Sequence, residues 1–308
     1  MRQQAIAAPY RALVDDAAIF PPGDEPLPAS VSANHEHRLA AYADLLGSFV
    51  VSDVRIPDLL EVIRSSSTHE RGEAPLAVSV VVTGGAGAIE PAVRWAGDAS
   101  ELDVRSIEIA LRGEEDLARN AKRVTTALTQ LVAAGHLDES THVYVEPPRL
   151  LGQGPTSSWL AALDEVAAMD LRLKFRTGGV DADAFPSGQE LASCIAAALD
   201  RELPFKCTAG LHNAVRHKDP ETGFERHGFL NVLLATRVSL DGAPVGYVST
   251  ILDEADASVV VDRCEDVRDD GLVAARRWFT SFGSCSVIEP LEDLIDLELL
   301  PDLTLEST

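Results

Sequence analysis

The sequence predicts a (β/α)8 barrel with a helical insertion between its seventh and eighth strands. Three observations support this. Eight short apolar runs rich in Val and Ile alternate with longer helical patterns. The chain has 308 residues, against roughly 250 for a plain barrel. The surplus falls in one place, residues 211–275, too long for one loop and one helix. An open doubly wound sheet is the alternative that the same alternation allows.

The strands are expected at 13–20, 48–52, 76–82, 106–111, 142–146, 171–176, 204–208 and 280–286. The first is the least regular, because Asp15 and Asp16 interrupt it. Between the strands, segments 31–46, 114–134, 157–168 and 188–199 place apolar residues at i, i+3, i+4 spacing with few breakers. Within the insertion the same pattern predicts helices around 229–236, 246–257 and 271–279. Residues 1–300 are expected to form one barrel domain that includes the 211–275 insertion, and 301–308 a loose acidic tail.

With 49 acidic and 26 basic residues the net charge is −23, which argues against nucleic acid or an anionic membrane as partner. The charge is uneven. Residues 172–228 hold eight basic and eight acidic residues, so the rest of the chain carries the whole excess. A locally cationic segment in an acidic shell suggests a small anionic ligand. The four cysteines are far apart with no C-x-x-C, and there is neither an apolar leader segment nor an apolar run of about 18 residues. A reduced cytoplasm is the expected location. The oligomeric state stays open, a homo-oligomer included.

In such a barrel the active site lies at the C-terminal strand ends. Reading those ends in order gives Glu108, Glu146, Lys174 with Arg176, Lys206 with Thr208, then Ser284 and Ser286. Side chains alternate along a strand, so Lys174 and Arg176 share a face, as do Lys206 and Thr208. Two ammonium groups side by side are expected to lower each other's pKa and free a nucleophilic amine. A strand-end lysine can equally be a rim residue paired with a carboxylate such as Glu146. Lys174, however, interrupts an otherwise apolar strand, where an unused charge is costly.

Three segments, LKFRTGG, FKCTAG and SFGSCS, resemble the deoxyribose-phosphate aldolases, lysine Schiff-base enzymes on a (β/α)8 barrel. Lys174, Thr177 and Gly178 match the sixth-strand motif, Lys206 and Gly210 the seventh, and Phe282, Gly283, Ser284 and Ser286 the eighth. The resemblance implies that Lys174 forms the Schiff base and Lys206 depresses its pKa. It implies a phosphate cradle at Gly210, Gly283 and Ser284, and no cofactor. Arg176, Gly179, His212 and Cys285 depart from the family pattern, and the family's proton-shuttling Asp has Glu108 on the corresponding strand.

The segment AGLHNAVRHKDPETGFERH contains His212, His217 and His227. With Glu146 these could ligate a metal, but a five-residue spacing in a loop is a weak signal, and no metal is assigned. An acid/base role for His212 is preferred. The segment itself is expected to act as a lid hinged at Gly210, Gly223 and Gly228. PPG at 21–23 and TGGAG at 83–87 read as turns, Cys285 as packing, and His35 and His37 as exposed.

The expected function is therefore a lyase of class I aldolase type acting on a small anionic carbonyl compound. Lys174, Lys206, Glu146 and His212 form its catalytic set. Arg176, Thr177, Gly178, Thr208, Gly210, Gly283, Ser284 and Ser286 are expected to bind the anion. The alternatives are a barrel isomerase or transferase that uses the lysines electrostatically, with or without a metal, and a non-catalytic barrel that binds a small anionic metabolite.

Overall fold

The computed structural model describes residues 6–65, 74–138, 140–152 and 154–303. Its main feature is a closed parallel barrel of eight strands: β1 (Val14–Asp16), β2 (Leu46–Ser52), β3 (Leu76–Val82), β4 (Leu102–Ala110), β5 (His142–Glu146), β6 (Arg172–Arg176), β7 (Phe205–Thr208) and, after a two-stranded hairpin β8 (His217–Lys218) and β9 (Glu225–Arg226), β10 (Phe279–Ser284). The strands follow in chain order, with β10 closing onto β1, as the (β/α)8 pattern requires. All barrel pairs are parallel, and Lys174 stands opposite Lys206 in the β6–β7 register.

The outer layer consists of α1 (Leu27–Leu39), α2 (Ile56–Ser65), α3 (Ile89–Gly97), α4 (Leu117–Ala133), α5 (Ser157–Ala167), α6 (Gly188–Leu199), α7 (Phe229–Leu240), α8 (Val245–Leu252), α9 (Ala257–Arg276) and α10 (Ile288–Asp296). Polar caps set several starts. Asp116, Thr156, Ser187 and Asp256 each accept a backbone N–H from the first turn of the helix that follows. The main core lies between barrel and helices, where Phe175 packs at a tilt on Phe205, Phe205 stacks on Phe279, and Phe229 of the insertion stacks on Phe282. Among the described residues no helix is long and apolar enough to cross a membrane.

Several boundaries differ from the expectation for local reasons. The first strand is only three residues long, because the Asp16 carboxylate captures the Ala18 N–H and turns the chain outward. The first helix starts at Leu27 rather than 31, on Pro26 and Pro28, and ends at Leu39, well short of 46. In the insertion, α7 and α8 fall where periodicity put them. The third helix is longer, running from the Asp256 cap and breaking at Arg268, where φ is +59°. Of the expected loose tail, 304–308 lie outside the described residues. Leu303 at its start is buried, so the chain stays packed at least that far.

The 209–228 segment departs from the lid expectation. Asp293 accepts the Ala214 N–H, Asn231 accepts the Arg216 N–H, and buried His227 bonds to the Pro186 carbonyl. These contacts pin the excursion to α10, to α7 and to the loop before α6, and leave a short hairpin at its tip.

Two glycines test how tightly the loops after β6 and β7 pack. Gly210 has φ +79°, and a Cβ there would lie 2.9 Å from the Thr177 carbonyl and 3.0 Å from the Gly178 Cα. Gly242 has φ +86° with open space around it. Gly242→Ala is expected to cost about 1 kcal/mol from the left-handed backbone alone. Gly210→Ala should cost about 2–4 kcal/mol, since backbone must move as well. Urea denaturation of the two variants measures the difference, and equal losses would show that the Gly178–Gly210 approach is not tight.

Candidate functional site

The strand ends bring together a buried network of charges. Lys174 Nζ lies 3.0 Å from Glu108 Oε2 and 2.9 Å from Glu146 Oε2. Lys206 Nζ lies 2.6 Å from Glu108 Oε1 and 2.6 Å from Asp15 Oδ2. Arg176 Nε donates to Glu146 Oε1 at 2.9 Å at the rim. Three carboxylates thus face three cations, and Lys174, Lys206 and Glu108 are only 4%, 2% and 2% exposed. Such charges survive burial only when paired and hydrogen-bonded on every side.

Hydroxyls complete the shell. Ser79 donates to Glu108 Oε1 at 2.6 Å, and Ser106 stands beside it. Asp15 accepts from Ser281 at 2.7 Å and from the Ser48 hydroxyl and N–H at 2.8 and 2.7 Å. Alternation along β1 sends Asp16 the other way, where Asn34 of α1 donates to it at 2.7 Å.

The lysines do sit side by side, but their protonation is opposite to the expectation. Burial favours the neutral amine of Lys174, yet Glu108 and Glu146 outweigh it and hold its pKa above the ordinary lysine value. Burial acts the same way on Lys206, and Asp15 and Glu108 reverse it more strongly. Glu108 is the mirror case: burial raises a carboxyl, while Lys206 and Lys174 drive this one far down. Any depression of Lys174 by Lys206 is therefore outweighed in the resting network, because each ammonium has two carboxylates at contact distance.

Above the network lies a cavity of about 240 Å³, smaller than a drug-sized pocket. Glu108, Lys174, Lys206, Arg176, Thr208 and His212 form its polar part. Phe20, Pro21, Pro22, Val50, Val81 and Val180 form its apolar side, with Gly283 and Cys285 at the eighth strand. A larger hollow of about 730 Å³ between α3 and α4 lies outside the barrel, and no strand-end residue lines it. The strand-end charges line the smaller one.

Of the expected anion-binding residues, Arg176, Thr208 and Gly283 line the cavity. Thr177, Gly178, Gly210, Ser284 and Ser286 do not, and each has a structural use. The Thr177 hydroxyl donates to the Thr208 and Ala209 carbonyls. Gly178 and Gly210 permit two loops to touch. Ser284 accepts the Ser286 N–H, and Ser286 accepts the Glu289 N–H at the start of α10.

The three histidines are separated. His217 bonds to the nearby Val215 carbonyl, and His227 is buried against Pro186 and Arg216. Only His212 reaches the cavity. Among the described residues no cluster of three His, Cys, Asp or Glu side chains has the arrangement to hold a metal ion. His212 Nδ1 is 2.9 Å from Glu289 Oε2, and its ring nitrogens lie 3.6 and 3.7 Å from Cys285 Sγ. Burial lowers its pKa, but the bonds to Cys285 and Glu289 outweigh burial and push it up to about 9. At neutral pH His212 is thus an imidazolium, fit to donate a proton or attract an anion.

Sequence reasoning named Glu108 but left it out of the catalytic set, and missed Asp15. An available signal was an acid inside each of two apolar strands, mirroring the lysines inside two others.

His212 should titrate near pH 9 by NMR, and Glu289→Gln should move it toward the ordinary histidine value of about 6.5. Because the folded pKa is the higher one, the stabilisation is complete below pH 6.5 and disappears as pH rises through about 9. The stability gap between wild type and Glu289→Gln should therefore close between pH 7 and 10. An unchanged His212 titration in the variant would refute the pairing.

No family model, curated protein or solved structure matches this chain.

Proposed function

We propose that this protein is a barrel lyase that binds a small anionic carbonyl compound and forms a Schiff base through Lys174. The observation that supports it most is a primary amine at the floor of a small strand-end cavity, with two proton-accepting carboxylates within 3.0 Å and a second ammonium on the neighbouring strand. Arg176 and imidazolium His212 supply positive charge for the substrate's anionic group.

Lys174 rests as an ammonium, so it must lose a proton before it attacks. Glu146 is the better acceptor. Glu108 is also held by Lys206 and Ser79, whereas Glu146 shares its charge only with Lys174 and a half-exposed Arg176. The amine then bonds to the carbonyl carbon. The carbonyl oxygen collects protons from Glu146 and the pocket acids and leaves as water, giving a protonated imine. That imine accepts the electron pair of the bond between its α and β carbons as the β-hydroxyl gives its proton to Glu146, so the β fragment leaves as a carbonyl compound. The enamine left on Lys174 takes the proton back at its α carbon, and water hydrolyses the imine. Lys206 stays charged throughout, balances the standing charge of Glu108 and steadies negative charge that develops on the substrate.

The firmly protonated lysines favour a second use of the same site. As fixed cations they would stabilise an enediolate or a phosphate, as in an isomerase or transferase, with no covalent bond to Lys174.

Sodium borohydride with a panel of sugar phosphates and keto acids separates the two. The expected outcome is a reduced adduct mapped to Lys174 and absent from both Lys174→Ala and the charge-conserving Lys174→Arg. Turnover without any trapped adduct would leave the electrostatic mechanism.

The pH dependence of trapping tests the network itself. Glu146→Gln removes a carboxylate that holds Lys174 charged, so the pH midpoint of trapping should fall. Lys206→Met leaves Glu108 to Lys174 alone, so the midpoint should rise. Identical profiles in wild type and both variants would show that the groups are not coupled.

A further inference from the structure

The opposite end of the barrel has its own cavity, of about 440 Å³, where the strands begin. Arg105 of β4, His142 of β5 and Arg172 of β6 lie on its wall, Arg38 of α1 closes another side, and Lys206 with Asp15, Ser48 and Ser281 form its roof. Positive charge is concentrated here in a chain of net charge −23.

The pairing of these cations is unusual. Arg38 donates Nε to the Asn34 amide oxygen at 2.9 Å and Nη2 to the Gly47 carbonyl at 2.8 Å, both neutral acceptors. Arg172 donates to the Tyr144 hydroxyl at 3.3 Å and lies over its ring. Among the described residues neither guanidinium forms an ion pair, although both are partly buried. Among the described residues Arg105, itself exposed, pairs only with partly buried Asp103 on its own strand, at 2.5 Å. The one carboxylate lining the cavity, Asp15, already accepts bonds from Lys206, Ser48 and Ser281.

The cations also act on one another. Burial disfavours the charged form of Arg38, Asp16 and Asp15 offset it in part, and Arg105 adds to the burial effect; Arg172 likewise adds to burial in disfavouring charged His142. Two forked donors converging on one hollow, with their neutral partners taking only part of their N–H groups, match the geometry of a bidentate oxyanion.

We infer that the cavity at the strand-beginning end of the barrel, lined by Arg38, Arg105 and Arg172, is a second ligand site that takes a small dianion, a phosphoryl group or a dicarboxylate. The inference is independent of the chemistry proposed for Lys174. It has a consequence for that site all the same. The Lys206 side chain lines both cavities, so a dianion below would partly offset the ammonium that faces the upper cavity, and by linkage an anion above would bind less tightly.

Phenylglyoxal modification of the wild-type protein, mapped arginine by arginine, tests this without any variant. Inorganic phosphate and malonate are compared with chloride at equal ionic strength, with exposed Arg64 as control and Arg176 as reporter of the upper cavity. The expected result is that modification of Arg38 and Arg172 slows by about threefold or more, the factor 1 + [L]/Kd once a site is mostly filled, while Arg64 is unaffected. Protection by phosphate alone assigns a phosphoryl ligand, and protection by malonate a dicarboxylate. Protection confined to Arg176, or no more protection than chloride gives, overturns the proposal. In support, Arg172→Gln should weaken binding of the protecting anion about tenfold by calorimetry while borohydride trapping at Lys174 is retained.

Discussion

Glu108 carries its charge inside the barrel with a different lysine on each oxygen, Lys174 at 3.0 Å and Lys206 at 2.6 Å. The rest of the site depends on this arrangement. A carboxylate cannot be buried there without the ammonium groups, and neither ammonium can be buried without it. Loss of one member from such a cluster strands a charge at a cost of about 3–5 kcal/mol. The cluster is therefore a folding constraint as well as a chemical resource. It fixes the β6–β7 register that sets Lys174 opposite Lys206, and it ties β1, β4, β5, β6 and β7 to one another across the barrel.

The same constraint shapes the barrel interior. In most barrels of this kind the inside is filled by layers of branched apolar side chains. Here Asp15, Ser48, Ser79, Ser106, Glu108, Lys174, Lys206 and Ser281 are all buried, and those with a bond partner named above reach one another through contacts of 3.0 Å or less. Small hydroxyl residues satisfy the carboxylates and leave space, which is why a hollow can open at either end. The apolar packing that holds the fold has moved to the interface between strands and helices, where the phenylalanine row lies.

Much of the architecture was legible in the sequence because it rests on periodicity. Val and Ile runs gave the strands, and i, i+3, i+4 patterns gave the helices, including α7 and α8 of the insertion. What failed were features set by single side chains: the early end of β1 where Asp16 takes the Ala18 N–H, and the long α9 begun by the Asp256 cap. In the site, the adjacency of the lysines followed from alternation and strand order. Their protonation did not, since it depends on which carboxylates cross the barrel to meet them, and Asp15 is 191 residues away from Lys206. Thr177, Gly178, Gly210, Ser284 and Ser286 looked like a cradle because turn-forming residues and anion-binding residues have the same composition. Only contact geometry separates the two uses.

The protonation of the network decides what the site can do. A neutral lysine in an apolar pocket is ready to attack but has nowhere to send protons later in a reaction. A lysine held charged by two carboxylates is slower to start, yet each proton it gives up has a named destination, and the same carboxylate can return it when the imine is hydrolysed. The difference between Glu146 and Glu108 gives that traffic a direction. Glu108 is fixed between two ammonium groups and Ser79, so it serves best as a permanent counter-charge. Glu146 faces the rim beside Arg176, and an anionic substrate that draws Arg176 toward itself leaves Glu146 with one cation fewer. Its affinity for a proton then rises at the moment Lys174 has to lose one. In the Schiff-base reaction proposed for this site, substrate charge, and not the second lysine, would free the amine.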